Sequence, residues 1–127
     1  MTEIKLCDLT PEHLRIREIL IQAAEKEQTI NYTQLLNKAK IKLDMSIPYD
    51  RGQLGHLLGE ISWSEVAEGR PMLSSVALHA GDYKQGQGFF DLAERLYSIN
   101  LRNSDQQLEF GMKELRKTFD FWSKKKK

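Results

Sequence analysis

Apolar residues recur at helical spacing over residues 11–26, where Leu14, Ile16, Ile19, Leu20, Ala23 and Ala24 form one stripe. Arg15, Arg17, Glu18, Glu25 and Lys26 lie mainly outside it. Thr10 is placed to cap this helix, and Pro11 to occupy its first position, where a missing N–H costs nothing. A shorter helix is predicted at 33–40, capped by Asn31 or Thr33, with Leu35, Leu36 and Ala39 inward. Residues 41–49 then form a connection, because Pro48 biases Ile47 away from helical geometry. The third helix starts at Asp50, with Gln53 three residues on as in a capping box, and buries Leu54, Leu57, Leu58, Ile61 and Val66. Its Gly52, Gly55 and Gly59 are out of character, since each costs about 1 kcal/mol against alanine inside a helix. Close approach of another helix or of a ligand backbone accounts for them; so does an irregular helix that ends near Gly59 and restarts.

Gly69 and Pro71 punctuate the chain. Met72 to His79 reads as a strand with Leu73, Val76 and Leu78 apolar. Residues 81–88 form a polar turn containing Gly81, Gly86 and Gly88, too long for a two-residue hairpin and suited to a wing or lid. Two further helices follow. Residues 89–99 carry Phe89, Phe90, Leu92, Ala93, Leu96 and Tyr97. Residues 105–122, capped by Ser104, bury Leu108, Met112, Leu115, Phe119 and Trp122. This order predicts an α+β fold, mainly helical, with a winged-helix-like core, a short strand and wing, and two C-terminal helices. One globular domain is expected over 1–123, followed by a disordered basic tail, 124–127.

A chain of 127 residues, 40% hydrophobic and 29% charged, can bury a self-standing core, and disorder through most of it is excluded. No apolar run approaches the roughly 18–20 residues of a bilayer span. Met1 to Asp8 lack the apolar region of a signal peptide, so a cytoplasmic protein with no membrane partner is expected. The formal charge is +1, from 19 basic and 18 acidic side chains. Without the four terminal lysines the body holds 15 against 18, a net of −3, which argues against strong non-specific polyanion binding. Residues 29–58 are locally basic, with Lys38, Lys40, Lys42 and Arg51 against Asp44 and Asp50.

The chemistry on offer is sparse. The single thiol, Cys7, precludes an intrachain disulfide and cysteine-based zinc sites. His13, His56 and His79 have no partners at metal-ligand spacing, so no metal or cofactor is expected; His13 reads as a helix-surface residue. Ser74 and Ser75 lack a Gly-x-Ser-x-Gly elbow and read as strand residues. Glu60, Glu65 and Glu68 read as a solvated acidic patch. Gly86 and Gly88 precede a helix whose N-terminal amides can face an anion.

Several segments between 29 and 90 resemble the winged-helix domain of O6-alkylguanine DNA alkyltransferases and alkyltransferase-like proteins. Thr29-Ile-Asn-Tyr-Thr-Gln-Leu-Leu is similar to that domain's opening, and Arg51-Gly-Gln-Leu-Gly-His-Leu-Leu to its recognition helix. Gly69-Arg-Pro-Met-Leu-Ser-Ser-Val-Ala-Leu, with the Gly-rich turn and Gly88-Phe-Phe, resembles its active-site strand and wing. Met72 stands where the family has its reactive cysteine, and Leu73 where it has histidine, so alkyl transfer to a thiolate at that position cannot run. Tyr32 matches the family tyrosine. Arg51 is the nearest match to the arginine that helps rotate a nucleotide out of the duplex, though its offset from Gly55 is four residues rather than three. The Gly-Arg-Pro-Met-Leu-Ser stretch also resembles small uncharacterised bacterial proteins; that likeness implies no activity, at most an accessory role such as one in a bacterial defence system.

Three readings follow. In the first, a non-enzymatic winged-helix-like module binds nucleic acid weakly through Tyr32, Lys42, Arg51, Gln53, His56, Lys84 and Gln87, with an oligomer or partner protein adding avidity. In the second, the C-terminal helix with Phe119, Phe121 and Trp122 docks on a protein partner or a second copy. In the third, Arg70, Ser74, His79, Gly86 and Gly88 form an anion or small-ligand site, in which Arg70 holds charge and His79 moves a proton.

Overall fold

The computed structural model describes residues 9–81 and 84–126, the side chains of Lys125 and Lys126 excepted. Cys7, with the first eight residues, and Asp82 and Tyr83 of the Gly-rich turn lie outside that description. The chain runs α1 (Pro11–Glu25), β1 (Ile30–Asn31), α2 (Tyr32–Ala39), α3 (Pro48–Ala67), a 3-10 turn (Leu73–Val76), β2 (Ala77–Leu78), α4 (Gln87–Tyr97) and α5 (Ser104–Lys126). The fold is α+β and mainly helical. Its described sheet is two short parallel strands, Ile30 opposite Ala77 and Asn31 opposite Leu78.

Local chemistry sets the first two helices. Thr10 caps α1 as expected, but its reciprocal partner is a histidine: Thr10 Oγ1 accepts from His13 N, and His13 Nδ1 accepts from Thr10 N at 3.1 Å. His13 is therefore buried rather than a surface residue. With Nδ1 accepting, Nε2 carries the ring proton toward Glu60 Oε1 at 2.9 Å, tying α1 to α3. Asn31 and Gln34 form a second capping box that starts α2 one residue earlier than expected.

α3 departs most from expectation. It begins at Pro48, inside the stretch expected as connection, with Ile47 before it extended as that proline requires, and it runs unbroken through all three glycines. Asp50 does not cap it; its Oδ2 instead accepts from Asp44 N at 2.8 Å, and Ser46 donates twice to Asp44 Oδ1, holding that carboxyl below its ordinary pKa. Burial of Leu54, Leu58 and Ile61 outweighs the weak propensity of the glycines.

One cluster joins Ile16, Leu20 and Ala24 of α1 to Leu35, Leu36 and Ala39 of α2, to Leu54, Leu58 and Ile61 of α3, and to Trp122 of α5. A second gathers Met72, Phe89, Phe90, Leu92, Ala93 and Leu101, with Trp63 and Val66 of α3 against it. α3 thus serves both clusters. Leu14, Leu108 and Met112, expected inside, are exposed. The inward side of α5 is instead Gly111, Glu114, Thr118 and Trp122, with Leu115 and Phe119 half-buried. Asn103 rather than Ser104 caps α5, its Oδ1 accepting from Gln106 N. The helix continues to Lys126, so lysines expected to be disordered extend it.

Residues 72–76 form a turn rather than the first part of a strand because their buried peptide groups find side-chain partners. Met72 N donates to Glu114 Oε2 at 2.9 Å, and Met72 O accepts from Thr118 Oγ1. Ser74 N donates to Ser62 Oγ, while Ser75 O accepts from Gln85 Nε2. Every one of these partners comes from outside a sheet, so the segment needs no neighbouring strand to be satisfied. Glu65, expected in solvent, is fully buried between two arginines: Arg17 Nε lies 3.1 Å from Oε2, and Arg70 donates to both oxygens.

Candidate functional site

The N-terminal half of α3 lies at the outside. Arg51, Gly52, Gly55 and His56 are exposed, and Leu54 and Leu58 turn inward from the same stretch. Beside this edge lies a recess of about 270 Å³ between α3, the start of α4, Tyr32 and His79. Its walls are apolar, from Met45, Leu54, Leu58, Phe89 and Leu92. Gly55 and Gly59 add bare backbone, and a Cβ built at Gly55 meets nothing within 4 Å. Gly52 and Gly55 therefore do not mark a close helix crossing, and only a Cβ at Gly59 would touch α4, at 3.8 Å from Leu92 Cδ2. Gly55 and Gly59 leave room in a pocket.

The polar rim is ordered. The Tyr32 ring stands edge-on to His79, with centroids 4.9 Å apart and planes at 90°. Tyr32 OH accepts from Gly86 N at 3.0 Å, which fixes the start of α4 against α2. His79 N donates to Lys84 O at 2.9 Å. Asp82 and Tyr83 of the expected wing lie outside the described residues, and among the described residues there is no antiparallel hairpin. Gly86, Gln87 and Gly88 bring the first turn of α4 to the rim, where helix amides lack intrahelical acceptors. Gln87 and Gly88 belong to α4 itself rather than to the turn before it.

Of the residues expected to meet nucleic acid, Tyr32, Arg51 and Gln87 line the pocket. Arg51 Nη1 donates to Met45 O at 3.0 Å, and both residues line the pocket. Lys42 is exposed in the α2–α3 connection, and His56 is exposed on α3. Gln53 donates to Tyr49 OH, and Lys84 Nζ lies 5.7 Å from the centre of the Phe90 ring.

The expected anion site comes apart. Ser74, His79, Gly86 and Gly88 do line the pocket, but Arg70 does not. Its guanidinium is committed to buried Glu65, beside a separate depression with Tyr97 and Lys117. Ser74 Oγ bonds Ser62 Oγ at 2.6 Å, so its partner is a second hydroxyl rather than a base. The aromatics expected to make a protein-docking face on α5 are largely core: Trp122 is buried, and Phe119 and Phe121 pack against the first cluster. No group of three or more histidine, cysteine or acidic side chains among the described residues is placed to hold a metal ion. No described helix is long and apolar enough to cross a membrane.

Sequence reasoning missed the pocket walls and the buried carboxylates Glu65 and Glu114. The glycine spacing on α3 was the signal for the pocket, because bare helix backbone has to face something. No comparable signal marked Glu114, which sits among charged neighbours on α5. No protein-family model, curated protein or solved structure matches the chain.

Proposed function

We propose that the chain is a non-enzymatic nucleic-acid-binding module that contacts its ligand through the exposed edge of α3 and the mouth of the adjoining pocket. The observation that carries this reading is the convergence of an exposed cation, Arg51, with the glycine-walled apolar recess and the Tyr32–His79 pair. A cation at the mouth suits a phosphate; a small apolar recess edged by aromatic rings and a few polar groups suits one planar ring system, such as an unstacked base. The resemblance of Tyr32 and the Arg51 helix to the alkyltransferase winged-helix domain supports the same assignment. Met72, at the position of that family's cysteine, is fully buried and bears no thiol, so the reading is binding without transfer.

Few cations border the pocket: Arg51 lines it, and exposed Lys38, Lys40 and Lys42 lie at the end of α2 and in the α2–α3 connection. Affinity is therefore weak and falls only gently with salt, and a partner or second copy strengthens it through avidity. Fluorescence anisotropy on labelled duplex and single-stranded oligonucleotides, at several salt concentrations, tests the reading. Arg51→Ala combined with Lys42→Ala weakens binding and flattens the salt slope. Gly55→Leu, which fills the recess, weakens binding without changing that slope. Binding indifferent to all three substitutions would sink the proposal.

A second reading, self-association through α5, rests on Leu108 and Met112, which are exposed one helical turn apart. Size-exclusion chromatography with light scattering checks it: a monomer at high concentration removes it.

A further inference from the structure

The recess beside α3 is lined by a buried hydrogen-bond donor whose proton has no acceptor. Ser62 Oγ and Ser74 Oγ lie 2.6 Å apart, and Ser62 Oγ also accepts from Ser74 N at 3.0 Å. Ser62 is fully buried, and among the described residues the one acceptor in reach of its hydroxyl is Ser74 Oγ. A buried hydroxyl donates where it can, so Ser62 gives its proton to Ser74. Ser74 Oγ then keeps a proton of its own that no described group accepts. Ser74 is 5% exposed and lines the recess, which is where an acceptor for that proton can stand.

The solvent side of the recess is cationic. Arg51 is exposed and lines it. Its Nη1 donates to Met45 O, which leaves most of the five guanidinium N–H groups without an acceptor among the described residues. None of the ion pairs among the described residues uses Arg51. No described aspartate or glutamate lines the recess. The acids closest to Arg51 in the chain are engaged within the α2–α3 connection: Asp50 Oδ2 accepts from Asp44 N, and Asp44 Oδ1 accepts twice from Ser46. Leu54, Leu58, Phe89 and Leu92 wall the space with apolar surface. Its volume of about 270 Å³ is at the small end for ligand pockets and suits a body of one or two fused rings.

We infer that the recess binds a free small aromatic carboxylate. Its flat apolar body fills the walls, its carboxylate meets Arg51, and an acceptor oxygen at its other end takes the Ser74 proton. The inference goes beyond the nucleic-acid reading, because it needs no polymer. A base in a strand reaches a cation only through its phosphate, whereas an aromatic carboxylate satisfies both ends of the recess with one molecule. Each contact has a separate physical signature: charge at Arg51, a neutral hydrogen bond at Ser74, and volume at Gly55.

The test is a fluorescence titration of the full chain with three compounds of one shape. The first is a naphthoate with a methoxy group at the far end of its ring system. The second is the same naphthoate without the methoxy group, and the third is the methoxy compound as its uncharged amide. The wild type binds the methoxynaphthoate most tightly. Arg51→Ala weakens both naphthoates by about five-fold and leaves the amide unchanged. Ser74→Ala weakens the two methoxy compounds by about five-fold and leaves the plain naphthoate unchanged, which also shows that this variant is folded. Gly55→Leu, which fills the recess, abolishes binding of all three while its melting temperature stays near that of the wild type. An amide as tight as the acid, or a uniform loss across the compounds in either alanine variant, overturns the inference. So does binding that survives Gly55→Leu, or no binding of any compound at millimolar concentration. Oligonucleotide binding without naphthoate binding overturns this inference alone and leaves the nucleic-acid reading standing.

Discussion

The side chain of Gln85 fills the space that a side chain at Gly111 would need: a Cβ built on Gly111 falls 2.5 Å from Gln85 Oε1. The buried Gln85 amide donates to Ser75 O at 2.8 Å and reaches Gly111 O at 3.4 Å, linking the end of the Gly-rich turn to both the 3-10 turn and α5. Gly111→Ala gains about 1 kcal/mol of helix propensity but displaces a buried amide, whose lost bonds cost about 1–3 kcal/mol. The expected net is a loss of about 1 kcal/mol, seen as a melting temperature lower by about 3–5 °C. In a Gln85→Ala background the same change becomes neutral or stabilising, and a double-mutant cycle by thermal denaturation reads the coupling.

Glu65 is a fully buried carboxylate shared by Arg17 and Arg70. Removing it leaves two guanidinium groups facing each other with their counter-charge gone. Each retains a fifth or so of its side-chain exposure, so part of that penalty is relieved by water. Glu65→Ala is expected to lower unfolding stability by about 3 kcal/mol, at the low end of the range for breaking a buried pair. Urea titration measures it, and a loss below 1 kcal/mol would show that the triad is not a structural tie.

The Tyr97 phenol donates to Glu114 Oε2 at 2.5 Å, and its pKa is raised by burial first and by the Glu114 carboxylate second. The folded chain therefore keeps this proton at a pH where the unfolded chain, titrating near 10, has released it. The contribution is complete below the unfolded pKa and is lost as pH climbs toward the folded one. Wild-type stability should fall above about pH 10, and Tyr97→Phe should start lower and decline less. Urea midpoints between neutral and strongly alkaline pH distinguish the two curves.

Gly55 offers a way to separate stability from binding. Nothing stands within 4 Å of a Cβ at this site, so Gly55→Ala should stabilise α3 by about 1 kcal/mol. The same methyl projects into the recess and narrows it. A melting temperature that rises while oligonucleotide affinity falls is the expected pair of results. Affinity unchanged in Gly55→Leu as well would mean that the recess is not part of the interface.

Where the residue pattern carried a local instruction, it was readable. Thr10 and Pro11 start α1, Asn31 starts α2, and Leu35, Leu36 and Ala39 are buried as their spacing implies. Periodicity failed where the buried face is polar. α5 turns Glu114 and Thr118 inward and leaves Leu108 and Met112 in water, because the segment it covers presents unpaired peptide groups rather than apolar side chains. The strand expected over 72–79 shrank to Ala77–Leu78 for the same reason. Of the candidate interface, Tyr32, Arg51 and Gln87 could be named from the sequence, while Arg70 was misplaced because its buried partner Glu65 looked like an ordinary surface acid.

The sequence by itself determined that this is a mainly helical α+β chain, with its first helices set by caps and apolar stripes. These are interactions between residues a few positions apart, and spacing alone expresses them. Only the tertiary structure decided which polar groups are buried and that two glycines of α3, Gly55 and Gly59, leave space for a pocket. Those outcomes depend on partners tens of residues distant, as Glu65 depends on Arg17 and Met72 on Glu114, and no local pattern encodes which distant group will arrive.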